Sequence, residues 1–410
     1  MRYLQFLLFL FIAQIFAAPS FSKESCRSAL LGKQDRQQRA SCHKKWTVLV
    51  FMAADNNLDP YAQLDIEEMK KVGSNLNLDI IIEVDLSSIE NSKNGIERAQ
   101  VLNGSVQKIT RFKEDYLSSP LRLKRFLKWS KQHYPSEKTM LVIWGHGYGW
   151  SGGFGWDNTS QNTISVQDLA SSLSTIIPDI FLADACLMQS TEIITSLSPY
   201  THFLVGTSQV QNYLGMPYEP LLNLLSQNNS TEAIVNTIPK LMRESISLSK
   251  SNTSSEMSMS VVSSNIWENY FLNEFKKTVT LLKLELKNNS QSVSIALKLS
   301  QQKSIAYENN SVDLAMFLDF LHHELKKQNY DTESKILKSI RNSRDSLEQS
   351  ILAYELGNLE SDWGSRSVSI WYPKTKKEFQ KENQFYEPSH FNQKTDWLSL
   401  LEMQFNLYVQ

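Results

Sequence analysis

Thr139-Met-Leu-Val-Ile-Trp-Gly-His-Gly147 and Asp179-Ile-Phe-Leu-Ala-Asp-Ala-Cys-Leu-Met188 share one design: a short apolar run that ends on a reactive side chain. Runs of this length, rich in β-branched and aromatic residues, read as buried strands rather than helices. Trp46-Thr-Val-Leu-Val-Phe-Met-Ala53, Leu78-Asp-Ile-Ile-Ile-Glu-Val84 and His202-Phe-Leu-Val-Gly206 read the same way. Between them lie helical stretches. Asp59 caps one from about Pro60 to Val72, with proline in its first turn, and a second runs from about Ser118 to His133. Asn94-Gly95 marks a hairpin near residues 90–110. Strands alternating with helices define an α/β sandwich around a mostly parallel sheet over residues 46–220. Ligands of such sheets bind beyond the carboxyl ends of the strands, where His146 and Cys186 both fall.

Residues 221–410 read as a helix-rich region that completes or packs on this core. Helices are expected near 230–247, 265–287, 292–302, 312–327 and 332–353. Met257–Val262 and Arg366–Tyr372 alternate in polarity and read as half-buried edge strands.

The 410 residues suit one large domain or two smaller ones, and a net charge of −1 supplies no field for nucleic acid. Residues 1–20 have the layout of a signal peptide: Met1-Arg2, an apolar stretch from Leu4 to Phe16, then Ala17, Ala18 and Ser20. The expected location is secreted or periplasmic; an uncleaved anchor is the alternative. No later apolar run reaches spanning length. Residues 21–45 read as a linker or short propeptide, with seven Lys or Arg between 23 and 45. Cys26 and Cys42 either pair in an oxidising compartment or stay free, and Cys186 is the odd cysteine.

Cysteine-based catalysis needs a thiolate, a base and oxyanion donors. A histidine between Gly145 and Gly147 has little to pack on, and glycine lets backbone approach a ligand, with the Gly147 N–H as a donor. A helix beginning at Cys186 would lower the thiol pKa. Asp184 beside it needs partners or a function. No third, orienting residue is clear, and a dyad suffices for a thiol.

Val50-Phe-Met-Ala-Ala-Asp-Asn-Asn-Leu58, Trp144-Gly-His-Gly147 and Asp184-Ala-Cys-Leu-Met188, in that order, resemble the clostripain family of cysteine peptidases, kin to caspases, gingipains and legumains. Asp157-Asn-Thr-Ser160, Ser258-Met-Ser260, Val312-Asp313-Leu314 and Ser369-Ile-Trp-Tyr-Pro373 extend the resemblance over roughly residues 46–375. It implies a caspase-like α/β/α core and a His146/Cys186 dyad. It also implies an oxyanion hole of the Gly147 and Cys186 N–H groups, and substrate contacts at Asp184, Ser208 and Leu214. Protein or peptide substrates, no required cofactor and an optional calcium ion follow from the same likeness.

Relatives typically cleave after arginine or lysine and carry a second acid where this chain has Leu214. Glu192 and Glu219 are the only acidic residues from 185 through 230. A guanidinium in a closed pocket with one carboxylate is poorly compensated, which points to a smaller, polar or apolar P1. No Lys or Arg lies between His146 and Cys186, so basic-site self-cleavage there is excluded. His322-His323 beside Glu324 reads as a solvated helix face rather than a metal site. Asp55 either holds loops at the active face or forms a turn. Trp144, Trp150 and Trp156 either line a groove or pack the core. The leading function is peptide-bond hydrolysis; the rivals are a binding protein on a degenerate scaffold and a transamidase.

Overall fold

The structure, a computed structural model, describes residues 43–86, 95–112, 120–227, 229–248, 257–288, 290–357 and 364–407. The leader, both amino-terminal cysteines and most of the basic linker lie outside these residues. In chain order the described strands are β1 (Lys44–Ala54), β2 (Leu78–Leu86), β3 (Ile96–Leu102), β4 (Ser105–Phe112), β5 (Ser136–Gly145), β6 (Phe154–Asp157) and β7 (Asn162–Ile164). They continue with β8 (Ile180–Asp184), β9 (Phe203–Gly206), β10 (Met259–Ser263), β11 (Ala306–Tyr307), β12 (Ser311–Asp313), β13 (Ile351–Glu355) and β14 (Ser369–Trp371).

Nine of them form one sheet in the order β13-β10-β9-β8-β5-β1-β2-β3-β4. The five central strands, β9 to β2, pair in parallel, and antiparallel strands extend both edges. β1 is apolar along nearly its whole length because both faces of the sheet are covered. Leu49, Phe51 and Ala53 join the core on one face with the helices Pro120–His133, Val166–Leu173, Leu272–Asn288 and Leu314–Lys327. Val48, Val50 and Met52 join the other, under Asp59–Val72, Tyr218–Ser226 and Thr231–Leu248. The molecule is the expected α/β/α sandwich.

The differences from expectation are local. The hairpin expected near residues 90–110 is β3–β4, which turns at Asn103-Gly104, where Gly104 supplies a φ of +72°; Asn94 lies outside the described residues. The helix expected over 332–353 ends at Ser350, and Ile351–Glu355 instead extends the sheet alongside β10. The two stretches read as half-buried edges contain strands, β10 and β14, that are buried throughout. Their alternate serines are small, and hydrogen bonds let these hydroxyls go inside: Ser258 Oγ lies 2.8 Å from Ser367 Oγ, and Ser260 Oγ donates to the Ser367 carbonyl at 3.0 Å.

One charge cluster is sealed in the sheet. Glu83 on β2 is fully buried and accepts from Arg98 Nε at 2.7 Å and Arg122 Nε at 2.6 Å. Each arginine also lies against aromatic rings, Arg122 4.0 Å from the Phe112 centroid and Arg98 4.3 Å from that of Trp129. Removing the carboxylate strands two buried guanidinium groups. Glu83→Ala is therefore expected to lower unfolding stability by about 3–5 kcal/mol, read as a shifted midpoint in urea. A midpoint within error of the parent would show the cluster to be energetically idle.

Candidate active site

β5 and β8 are neighbours in parallel register, with Trp144 opposite Asp184. His146 and Cys186 each follow two residues later, so equivalent positions at two adjacent strand ends carry the imidazole and the thiol. Neighbouring strands lie about 4.8 Å apart, and the loops leaving them touch. A Cβ built on Gly147 would fall 2.0 Å from the Cys186 carbonyl oxygen, so only glycine permits this approach. Gly147 bridges Phe154, but its neighbours carry the hydrogen bonds: Tyr148 N–H to Gly153 O at 2.9 Å and Gly155 N–H to His146 O at 2.8 Å. The Gly147 N–H itself has no partner among the described residues.

The end of β1 supports the histidine loop through three consecutive side chains. Asp55 accepts from the Thr159 N–H at 3.0 Å and its hydroxyl at 2.7 Å, so this aspartate does hold a loop. Asn56 donates to the Trp156 carbonyl at 2.8 Å. Asn57 Oδ1 lies 2.8 Å from His146 Nε2. With that oxygen as partner, Nε2 carries the proton and Nδ1 keeps its lone pair. Burial pulls the imidazole below its usual range, so it is neutral at neutral pH.

No helix begins at the cysteine. Leu187 takes a left-handed φ of +61°, the chain turns, and the helix Thr191–Leu197 starts later under a Ser190 cap. Residues 187–189 instead pair with the segment after β9, Leu187 N–H to Gln209 O and Gln189 N–H to Thr207 O, each at 3.0 Å. Ser208 is buried there and donates to the Gln189 carbonyl at 2.7 Å. The Ser369 N–H reaches the same carbonyl at 3.0 Å. Cys186 is half-buried, and its sulfur accepts the Gln211 N–H at 3.1 Å. Burial pushes the thiol above its ordinary pKa; the Gln211 N–H opposes that, and the Glu308 and Asp184 charges add to it. Among the described residues, thiol and imidazole are not hydrogen-bonded to each other.

Asp184 is buried beside the thiol and faces inward donors. Gln211 Nε2 makes a short hydrogen bond to Oδ1, the Met216 N–H reaches both oxygens at 3.2 Å, and the Tyr218 hydroxyl donates to Oδ2 at 3.0 Å. Burial lifts this carboxyl to about 6. Burial, and then the Asp184 charge, push Asp65 behind it to about 9, so Asp65 keeps its proton at neutral pH. Leu214 is 44% exposed, flanked by exposed Val210 and by Tyr213 stacked on Tyr61.

Trp144 packs in the core and donates to Asp65 at 2.6 Å, and Trp150 packs edge-on against Trp371 and Tyr386. Trp156 is half-buried and bonds Asn158 at 3.0 Å. His323 is exposed, while Glu324 is buried on Lys303 at 2.5 Å, so the three residues of that motif share no site. Among the described residues no group of three or more His, Cys, Asp or Glu side chains is placed to hold a metal ion. Asn57, Gln211 and Tyr218 were not singled out by sequence reasoning. The signal available for the first two was that they are polar residues just past strand ends, in β1 and β9.

Such a fold, with a thiol loop and an imidazole loop side by side at the strand ends, is that of a cysteine protease. A model of the clostripain family, Peptidase C11, matches residues 50–403, and the chain belongs to that family. It is similar in fold to a secreted C11 cysteine protease from Bacteroides thetaiotaomicron in complex with an irreversible peptide inhibitor, at 19% identity and a TM-score of 0.63 over 87% of this chain and 100% of that one. An inactive zymogen C11 protease from Parabacteroides distasonis matches at 18% identity and a TM-score of 0.63, over 86% of this chain and 98% of that one. No curated protein matches.

Two measurements follow from this geometry. Because burial raises the thiol, alkylation of Cys186 by iodoacetamide is expected to rise with pH to a midpoint above about 8.5, the free-thiol value. A midpoint near 6 would instead reveal a preformed thiolate–imidazolium pair. Gly147→Ala is expected to push the two loops apart and to change the alkylation rate of Cys186. An unchanged rate would show that the close approach does not matter to the thiol.

Proposed function

We propose that this cysteine protease is an exported endopeptidase in which Cys186 is the nucleophile and His146 the general base. The observation that carries the reading is the matched position of the two side chains past Trp144 and Asp184, with the Gly147 backbone packed on the Cys186 peptide and its N–H without a partner among the described residues. In the proposed reaction the thiol proton passes to Nδ1 of His146, and the thiolate forms a bond to the scissile carbonyl carbon. The carbonyl oxygen takes the negative charge and is held by the N–H groups of Gly147 and Cys186. The tetrahedral adduct collapses as His146 returns the proton to the leaving amine. Water, deprotonated by His146, then cleaves the thioester and frees the thiol. Asn57 acts as a positioning residue that fixes the tautomer in which Nδ1 is the base. The neutral, half-buried imidazole supports general-base activation over a standing ion pair. Asp184, already bonded to internal donors, supports a P1 residue that is not basic. Export rests on the amino-terminal sequence and on the description of a similar protease as secreted. Among the described residues no helix is long and apolar enough to cross a membrane.

The test is cleavage of a mixed peptide library by purified residues 23–410 under reducing conditions, with and without calcium. Cleavage is expected, and Cys186→Ala and His146→Ala should each reduce kcat by at least about 10³-fold. Asn57→Ala should lower kcat by about 10–100-fold with little change in KM, and Asn57→Gln should recover part of it. Cleavage that survives Cys186→Ala would remove the thiol from the mechanism. Products that appear only with an added amine acceptor would make the chain a transamidase.

A further inference from the structure

The carboxylate beside the thiol already holds partners from its own chain. Two carboxylate oxygens offer about four acceptor sites, and Asp184 gives most of its own to Gln211 Nε2, the Met216 N–H and the Tyr218 hydroxyl. Gly215 stands against the same group, so that a Cβ there would lie 3.2 Å from Oδ2. The donor that a lysine or arginine would bring to this carboxylate is therefore supplied by a neutral amide.

The other atoms of this segment are left incomplete. Gln211 Oε1 is buried and accepts no hydrogen bond among the described residues. On the next residue, Asn212 Nδ2 is buried and donates none. Asn212 Oδ1 is occupied by the Leu214 N–H at 3.1 Å, so the unused atom is the amino group. A buried donor or acceptor without a partner carries an uncompensated loss of hydration, which a ligand with matching groups would recover. One free acceptor and one free donor on consecutive residues are the complement of a carboxamide, whose amino group donates and whose oxygen accepts. The segment is also at the reaction centre, because the Gln211 N–H is bonded to the Cys186 sulfur at 3.1 Å.

We infer that Gln211 sets the substrate specificity of this protease: its amide takes the place of a basic side chain on Asp184, and with Asn212 it selects asparagine or glutamine at P1. The inference rests on the peptidase reading above. It selects against charged residues in both senses. An acidic P1 would meet Asp184, and a basic one would have to displace the Gln211 amide.

The test is a P1-scanning peptide library on the purified chain, with Gln211→Ala beside it. That variant keeps the backbone N–H on the sulfur, and a urea unfolding midpoint close to the parent's checks that it has folded. The parent is expected to cleave after Asn or Gln at a kcat/KM at least tenfold above that for Arg or Lys. Gln211→Ala, which uncovers Asp184, is expected to reverse that ratio by at least tenfold. Cysteine-dependent cleavage by the parent mainly after Arg, Lys or an apolar residue would overturn the inference and leave the peptidase reading intact. A folded Gln211→Ala with an unchanged P1 profile would also overturn it. Absence of cysteine-dependent cleavage at every P1 would overturn both.

Discussion

The parallel pairing of β5 with β8 is the constraint on which the site depends. Opposing Trp144 to Asp184 fixes where each strand ends relative to its neighbour. A slip of one residue would turn every side chain of a strand to the other face, and both faces here are packed, so the register has no alternative. From that pairing follow the abutment of Gly147 on the Cys186 peptide, the seating of the imidazole against Asn57 and the reach of the Gln211 N–H to the sulfur. The loops are irregular, but each is short and is bonded at several points to a neighbour that is itself fixed.

Burial dominates the electrostatics around the thiol. The sulfur and the imidazole are both pushed toward their neutral forms, and the carboxyls of Asp184 and Asp65 are pushed toward theirs. At neutral pH the thiol, the imidazole and Asp65 are therefore held near their neutral forms, and Asp184, at about 6, carries the resting charge beside them. A resting pair of ions would demand compensation that the surrounding residues do not offer.

Much of this arrangement was legible in the sequence. The apolar runs of β1, β2, β5, β8 and β9 are short, continuous and separated by helical stretches, and these features alone specify a parallel sheet. The glycines around His146 and the aspartate before Cys186 marked the strand ends as unusual. The conformation of the cysteine loop was not legible, because pairing with residues 207–209 overrides the local tendency to begin a helix. Burial of the serines at 258, 260 and 367 was hidden for a related reason. A hydroxyl looks solvent-facing until its partner, more than a hundred residues away for the first two, is known. The roles of Gln211 and Asn212 depend on which of their atoms remain unbonded, which no periodicity encodes.

The carbonyl of Gln189 accepts both Ser208 and Ser369, and β10 and β13 close the edge of the main sheet. The loop that carries the thiol is thus braced by residues made some 180 positions later. Contacts of such long sequence separation form late and slowly. A growing chain would hold its cysteine and histidine long before it held the brace that orders them. The order of synthesis itself then acts as a delay, so that the loop carrying the thiol gains its brace only when the last third of the chain has been made.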